Sequence, residues 1–244
     1  MSARSLLARG MLVGVVAGLL AIAFGWLFGE PQIDQAIAFE YAHTPPGVDD
    51  PEPVSRAVQS TLGLGVSVLV YGAALGGIFA LAFAFAYGRL GQLRARGTAL
   101  LVAGLGLVAM FLVPFLKYPA NPPAIGDHDT IGRRTALYFL MILISVAAAT
   151  GAVLLSRSLT ERLGGWNATL AGVGAFLAVV ATAAAILPGI NEIPADFSAT
   201  VLWRFRVAAL ATQLVLWTTL GLLFGALTER AARRQAQASM VATA

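Results

Sequence analysis

Gly10-Met11-Leu12-Val13-Gly14-Val15-Val16-Ala17-Gly18-Leu19-Leu20-Ala21-Ile22-Ala23-Phe24-Gly25-Trp26-Leu27-Phe28 is the stretch that decides the fold. No charge interrupts it. A helix needs about 20 apolar residues to cross the hydrocarbon core of a bilayer. Counted from Leu6, this run is long enough. A secretory leader is the competing reading, because Arg4 and Arg9 form a basic start and Ala21-Ile22-Ala23 is an acceptable cleavage pattern. Leader apolar regions are about 7–15 residues long. This one continues through Phe24, Trp26, Leu27 and Phe28, so a retained transmembrane helix is expected.

Five further runs of the same kind follow, at about Ser60–Tyr87, Thr98–Leu116, Ala136–Leu155, Ala168–Leu187 and Val207–Leu227. None alternates with period two, as the strands of a membrane barrel do. The composition agrees: 58% of the 244 residues are hydrophobic and 11% charged. A soluble domain carries about 25% charged residues, so an excess of this size needs lipid as solvent. The expectation is an all-α polytopic protein of about six transmembrane helices, arranged as three hairpins in a single integral membrane domain over residues 1–244.

The charges orient these helices. With the N-terminus in the cytoplasm, the inner segments hold ten Lys/Arg and two acids, Glu161 and Glu229. The outer segments hold six Lys/Arg and ten acids. Basic residues collect on the cytoplasmic side of membrane proteins, so both termini are expected inside. The outer loops then span about 29–59, 117–135 and 188–206. The net charge of +4 is spread over short clusters between apolar runs, which is a topology signal and not a nucleic-acid surface. The absence of Cys excludes thiolate chemistry.

After the first helix, Glu30-Pro31 begins a short helical pattern. Pro suits the first turn of a helix, and Ile33, Ile37 and Tyr41 recur at a spacing of four. Pro31–Tyr41 is therefore expected to lie as a helix on the outer membrane surface, ended by Thr44-Pro45-Pro46-Gly47.

No enzyme motif is present: no G-x-x-x-x-G-K-[ST], no H-E-x-x-H and no G-x-S-x-G. An enzyme is not expected. The helices also lack the mid-membrane carboxylate of a proton-coupled pump; Ser145, Thr150, Thr182 and Gln213 are the polar candidates within them. The outer face holds both histidines, His43 and His128, together with ten acids. Glu30 and Asp34 would lie one helical turn apart, and Asp127-His128-Asp129 places an imidazole between carboxylates. Divalent first-row metals accept this ligand mix. Glu30, Asp34, Asp127, His128, Glu192 and Asp196 are the candidate metal set. Trp203-Arg204-Phe205-Arg206 leads into the sixth helix. Its arginines either anchor the interface or pair with Glu30 or Asp34.

These residues also carry a family resemblance. Phe28-Gly29-Glu30-Pro31-Gln32-Ile33-Asp34-Gln35-Ala36-Ile37-Ala38 resembles the hallmark of the CbtA family of predicted cobalt-transporter subunits. So do Val113-Pro114-Phe115-Leu116-Lys117-Tyr118-Pro119-Ala120-Asn121-Pro122-Pro123 through Arg133-Arg134-Thr135. The third matching stretch is Leu187-Pro188 through Glu192-Ile193-Pro194-Ala195-Asp196-Phe197 and Leu202-Trp203-Arg204-Phe205-Arg206. The resemblance implies a multi-pass protein of the bacterial inner membrane, tied to cobalt supply for cobalamin synthesis. It also implies a small single-helix partner with a His-rich tail, called CbtB. His43, Tyr118, Asn121, Arg133, Arg134, Arg204 and Arg206 join the metal set as motif positions of functional interest.

The expected function is transport of Co²⁺, Ni²⁺ or a similar ion across the bilayer, with no resident cofactor. Two alternatives stay open. One is a scaffold subunit that moves no solute. The other is a permease for a corrinoid precursor, held by the arginines and aromatics.

Overall fold

The computed structural model describes residues 2–44, 64–90, 92–123, 125–126 and 128–242. Among these residues the chain is helical, with no strand. The helices are α1 (Ala3–Phe28), α2 (Glu30–His43), α3 (Leu64–Ala86), α4 (Ala95–Lys117), α5 (Ile131–Ile186) and α6 (Ala199–Ala242). Five of them, all but α2, are long and apolar enough to cross a membrane. Their exposed faces are studded with Leu, Val, Phe and Trp, such as Leu12, Leu19, Leu69, Leu143, Leu177 and Trp203. In water such faces would be an aggregation liability; in lipid they are the solvated surface.

α5 is two helices in one. At Gly164 the backbone takes φ 74° and ψ 159°, a region open essentially to glycine alone. The chain reverses there, so the fourth and fifth apolar runs are the two arms of α5. The arms pack closely. A methyl group on Gly172 would come within 2.7 Å of the Ala152 carbonyl oxygen and 3.2 Å of Ser156 Cβ.

The chain divides into two compact units. Unit 1 comprises Met1–Pro31, Tyr41–Gly104 and Val207–Ala244; unit 2 comprises Gln32–Glu40 and Leu105–Arg206. In unit 1, α1 and α3 meet through Gly10 and Gly14 against Gly72 and Gly76. A methyl on any of the four would overlap backbone of the facing helix. This is the small-residue spacing that lets membrane helices approach closely and gain dispersion contacts. Phe224 of α6 meets Phe79 and Phe83 of α3 edge to face, with centroids 5.3 and 5.0 Å apart. At one end of this unit Arg9 donates to Thr228 Oγ1 (3.1 Å), and Glu229 accepts from Arg233 (2.6 Å) and pairs with Arg96 (3.6 Å).

Two helix boundaries and one helix face differ from the sequence expectation. α6 begins at Ala199, so Trp203-Arg204-Phe205-Arg206 lies inside the helix and not ahead of it. It also runs past Leu227 to Ala242, where alanines, arginines and the Glu229–Arg233 pair at i, i+4 favour helix. α2 forms as expected with Pro31 in its first turn, but Gln32 and Ala36 are its buried residues. Ile33 and Ile37 are half-buried and Tyr41 is exposed, so the regular apolar spacing runs beside the buried face and not along it. The start of the second apolar run, and Pro45 onward, lie outside the described residues.

α4 is not uniform. Its segment Leu107–Leu112 is a π-turn, in which the Val113 N–H reaches back to the Val108 carbonyl. The cause sits one residue further on. Pro114 has no N–H to give the Met110 carbonyl and its ring would clash there. A π-turn shifts the register by one residue and absorbs the mismatch.

Candidate functional site

The richest polar geometry is in unit 2, around the segment Tyr118–Gly126. Its core is small: Ala36, Ile125, Phe197 and Val201, with Phe39, Ile193 and Leu202 packed against them. Phe39 and Phe197 meet edge to face at 5.1 Å. This apolar knot ties Gln32–Glu40, the segment after α4 and the start of α6 together, and it fixes the polar groups beside it.

Arg206 spans from α6 to that segment. Its Nε donates to the Ala120 carbonyl (3.2 Å) and its Nη2 to Asn121 Oδ1 (3.0 Å). The Tyr118 hydroxyl donates to the Pro188 carbonyl (2.9 Å). Burial raises the Tyr118 pKa above the usual 10, partly offset by the positive charge of Arg133, so the phenol stays a donor. Arg134 Nη1 lies 3.3 Å from Glu192 Oε2. Gly126, at φ 132°, passes both: a methyl there would come 2.8 Å from Arg134 Nη1 and 3.2 Å from Glu192 Oε2.

These groups border a cavity of about 790 Å³. Phe111 and Phe115 of α4, Tyr138 and Phe139 of α5, and Ile125, Ile190 and Ile193 form its apolar walls. Arg134, Arg206, Asn121, Asn191, Thr135 and Tyr118 supply its polar atoms. Composition places this cavity with ligand pockets in general, which are mostly apolar with a few directed polar groups.

The candidate residues from the sequence divide accordingly. Tyr118, Asn121, Arg134 and Arg206 come together on the cavity wall, with Glu192 behind Arg134. Arg133 and Arg204 are exposed on α5 and α6. Glu30 and Asp34 sit one turn apart on α2, as expected, and His43 ends that helix. Asp196 is exposed in the turn before α6. Asp127 lies outside the described residues; His128 opens a short 3₁₀ turn, His128–Thr130, and its side chain is likewise not described. Among the described residues no three His, Asp or Glu are grouped to hold a metal ion. The bonds described for Arg206 go to Ala120 and Asn121.

The sequence did not single out Phe111, Tyr138 or Phe139, and Phe115 and Thr135 entered only within the family motif. The aromatic pair spaced by four beside Pro114 was the available signal. Three polar groups stand out in the interior: Gln32 Oε1, Ser145 Oγ and Trp217 Nε1 are buried with no hydrogen-bond partner among the described residues.

The sequence pattern described as probable cobalt transporter subunit (CbtA) matches residues 3–229 of the chain. The chain belongs to the CbtA family. The match takes in α1, α2 and every candidate residue, and stops in α6. No curated protein and no solved structure matches the chain. CbtA membership, with five apolar helices, makes this a multi-pass membrane protein of a family described as probable cobalt transporter subunits. A subunit implies partners, and a transporter family is not a class of enzymes.

Proposed function

We propose that this CbtA chain is the membrane permease subunit of a Co²⁺ uptake system that supplies cobalamin synthesis in a bacterial inner membrane. The family match over residues 3–229 carries the reading. The chain crosses six times, counting α5 twice, with both termini cytoplasmic and a small His-tailed single-helix subunit like CbtB as partner.

Glu30, Asp34, Asp127, His128, Glu192 and Asp196 gather the ion on the outer side. Imidazole nitrogen and carboxylate oxygen suit Co²⁺ and Ni²⁺ alike. Transport needs release, so each site holds the ion weakly. Glu192 already faces Arg134, so it would exchange a guanidinium for the ion. Neutral imidazole is the ligand form, so capture through His128 depends on its being deprotonated.

Cobalt uptake by cells carrying Glu30→Gln or His128→Ala tests the capture site. Each variant should insert at wild-type level and lose most of its uptake. Normal uptake in both variants overturns the capture set, while leaving the transporter reading in place.

A further inference from the structure

The proposed capture residues leave the cavity beside Arg206 without a role. A divalent ion with six waters occupies on the order of 180 Å³ at about 30 Å³ per water. The cavity is about 790 Å³. It is also the wrong sign for a bare cation: Arg206 and Arg134 line it, and no Asp or Glu does among the described residues.

We infer that this cavity binds an organic oxyanion, a carboxylate or phosphate carried on an apolar body, with Arg206 as its anchor. Arg206 is held at Nε and Nη2 by two neutral groups, the Ala120 carbonyl and the Asn121 side-chain amide. They orient the guanidinium without cancelling its charge, and neither touches Nη1. A fixed guanidinium edge recognises carboxylate and phosphate oxygens through paired hydrogen bonds. Arg134 adds to the field, partly offset by Glu192 at 3.3 Å. Phe111, Phe115 and Phe139, which also line the cavity, receive the apolar body. The ligand is a free organic acid or the headgroup of an anionic phospholipid; the recognising chemistry is shared. The inference goes beyond cobalt capture and does not depend on it.

The test is thermal stability of the purified full chain in neutral detergent. The probes are 1-naphthoate, its neutral isostere 1-naphthamide, and inorganic phosphate. Naphthoate at millimolar concentration should raise the melting temperature by a few degrees and saturate; naphthamide and phosphate should not. The response should vanish in Arg206→Gln. It should also vanish in Thr135→Glu, which sets a carboxylate on the cavity wall from an exposed position in the first turns of α5 and so leaves folding intact. No response to naphthoate, an equal response to naphthamide or to phosphate, or a response that survives Thr135→Glu overturns the inference. In nanodiscs, loss of the naphthoate response in phosphatidylglycerol but not in phosphatidylcholine supports it with lipid as the source. Responses equal in the two lipids support it with a free acid as the source.

Discussion

A methyl group on Gly14 would overlap the carbonyl oxygen of Gly72, which belongs to rigid helix backbone. The two helices must then part, and overpacking of this kind costs about 1–3 kcal/mol. Gly14→Ala is expected to lower the melting temperature in detergent, whereas Gly104→Ala, where nothing lies within 4 Å, is expected to leave it unchanged. Equal melting of the two variants would contradict close packing of α1 on α3. Arg206 makes a different demand. Hydrogen bonds from a charged donor are worth about 1.5–3 kcal/mol, so Arg206→Ala should destabilise by roughly that much. Arg204→Ala, at an exposed position, should cost under about 0.5 kcal/mol. The sequence marked both arginines but could not separate them. Two residues apart on a helix, they point to nearly opposite faces, and that only becomes readable once α6 is known to start at Ala199. The partners of Arg206 were equally hidden. A backbone carbonyl such as that of Ala120 leaves no mark on sequence, so interface anchoring and a carboxylate partner were the two readings open.

At the scale of the element, the helices themselves were legible because a run such as Gly10–Phe28 has few other uses. Their ends were less so. Where α6 leaves the apolar run at Leu227, charge suggests a stop, but helix propensity and the Glu229–Arg233 pair carry the helix on. The reversal at Gly164 was read as a loop between two helices; the structure turns on one residue. Gly164→Ala forces a side chain into a glycine-only region at a cost of about 1–3 kcal/mol. Gly165→Ala, its neighbour with open space around it, is neutral or slightly stabilising because alanine favours helix. Comparing the two melting temperatures checks this. If both fall alike, the fault lies in crowding and not in backbone strain. The π-turn of α4 had a visible cause in Pro114, yet its consequence, the placement of Phe111 and Phe115 on one cavity wall, follows from register and not from composition.

For the whole molecule, the charge pattern makes the strongest claim. The chain has no cysteine, so single cysteines report topology without background. Cysteines at Ser2, Gly165 and Ala238 should be shielded from an impermeant thiol reagent in intact spheroplasts, and one at Asn191 should react. Labelling at Gly165 without lysis would contradict the orientation. The family was legible across the chain because its motifs have unusual composition, Glu30-Pro31 at the start of α2 and Pro119 to Pro123 among them. Its transport chemistry was less legible, since ligands drawn from separate loops are brought together by folding alone. The central claim, that this CbtA chain passes cobalt across a bilayer, is tested most directly by Co²⁺ uptake into liposomes holding the purified chain together with its small His-rich partner. The account predicts saturable uptake that requires this chain and falls sharply in Glu30→Gln. Uptake no greater than in liposomes holding the partner alone would contradict it.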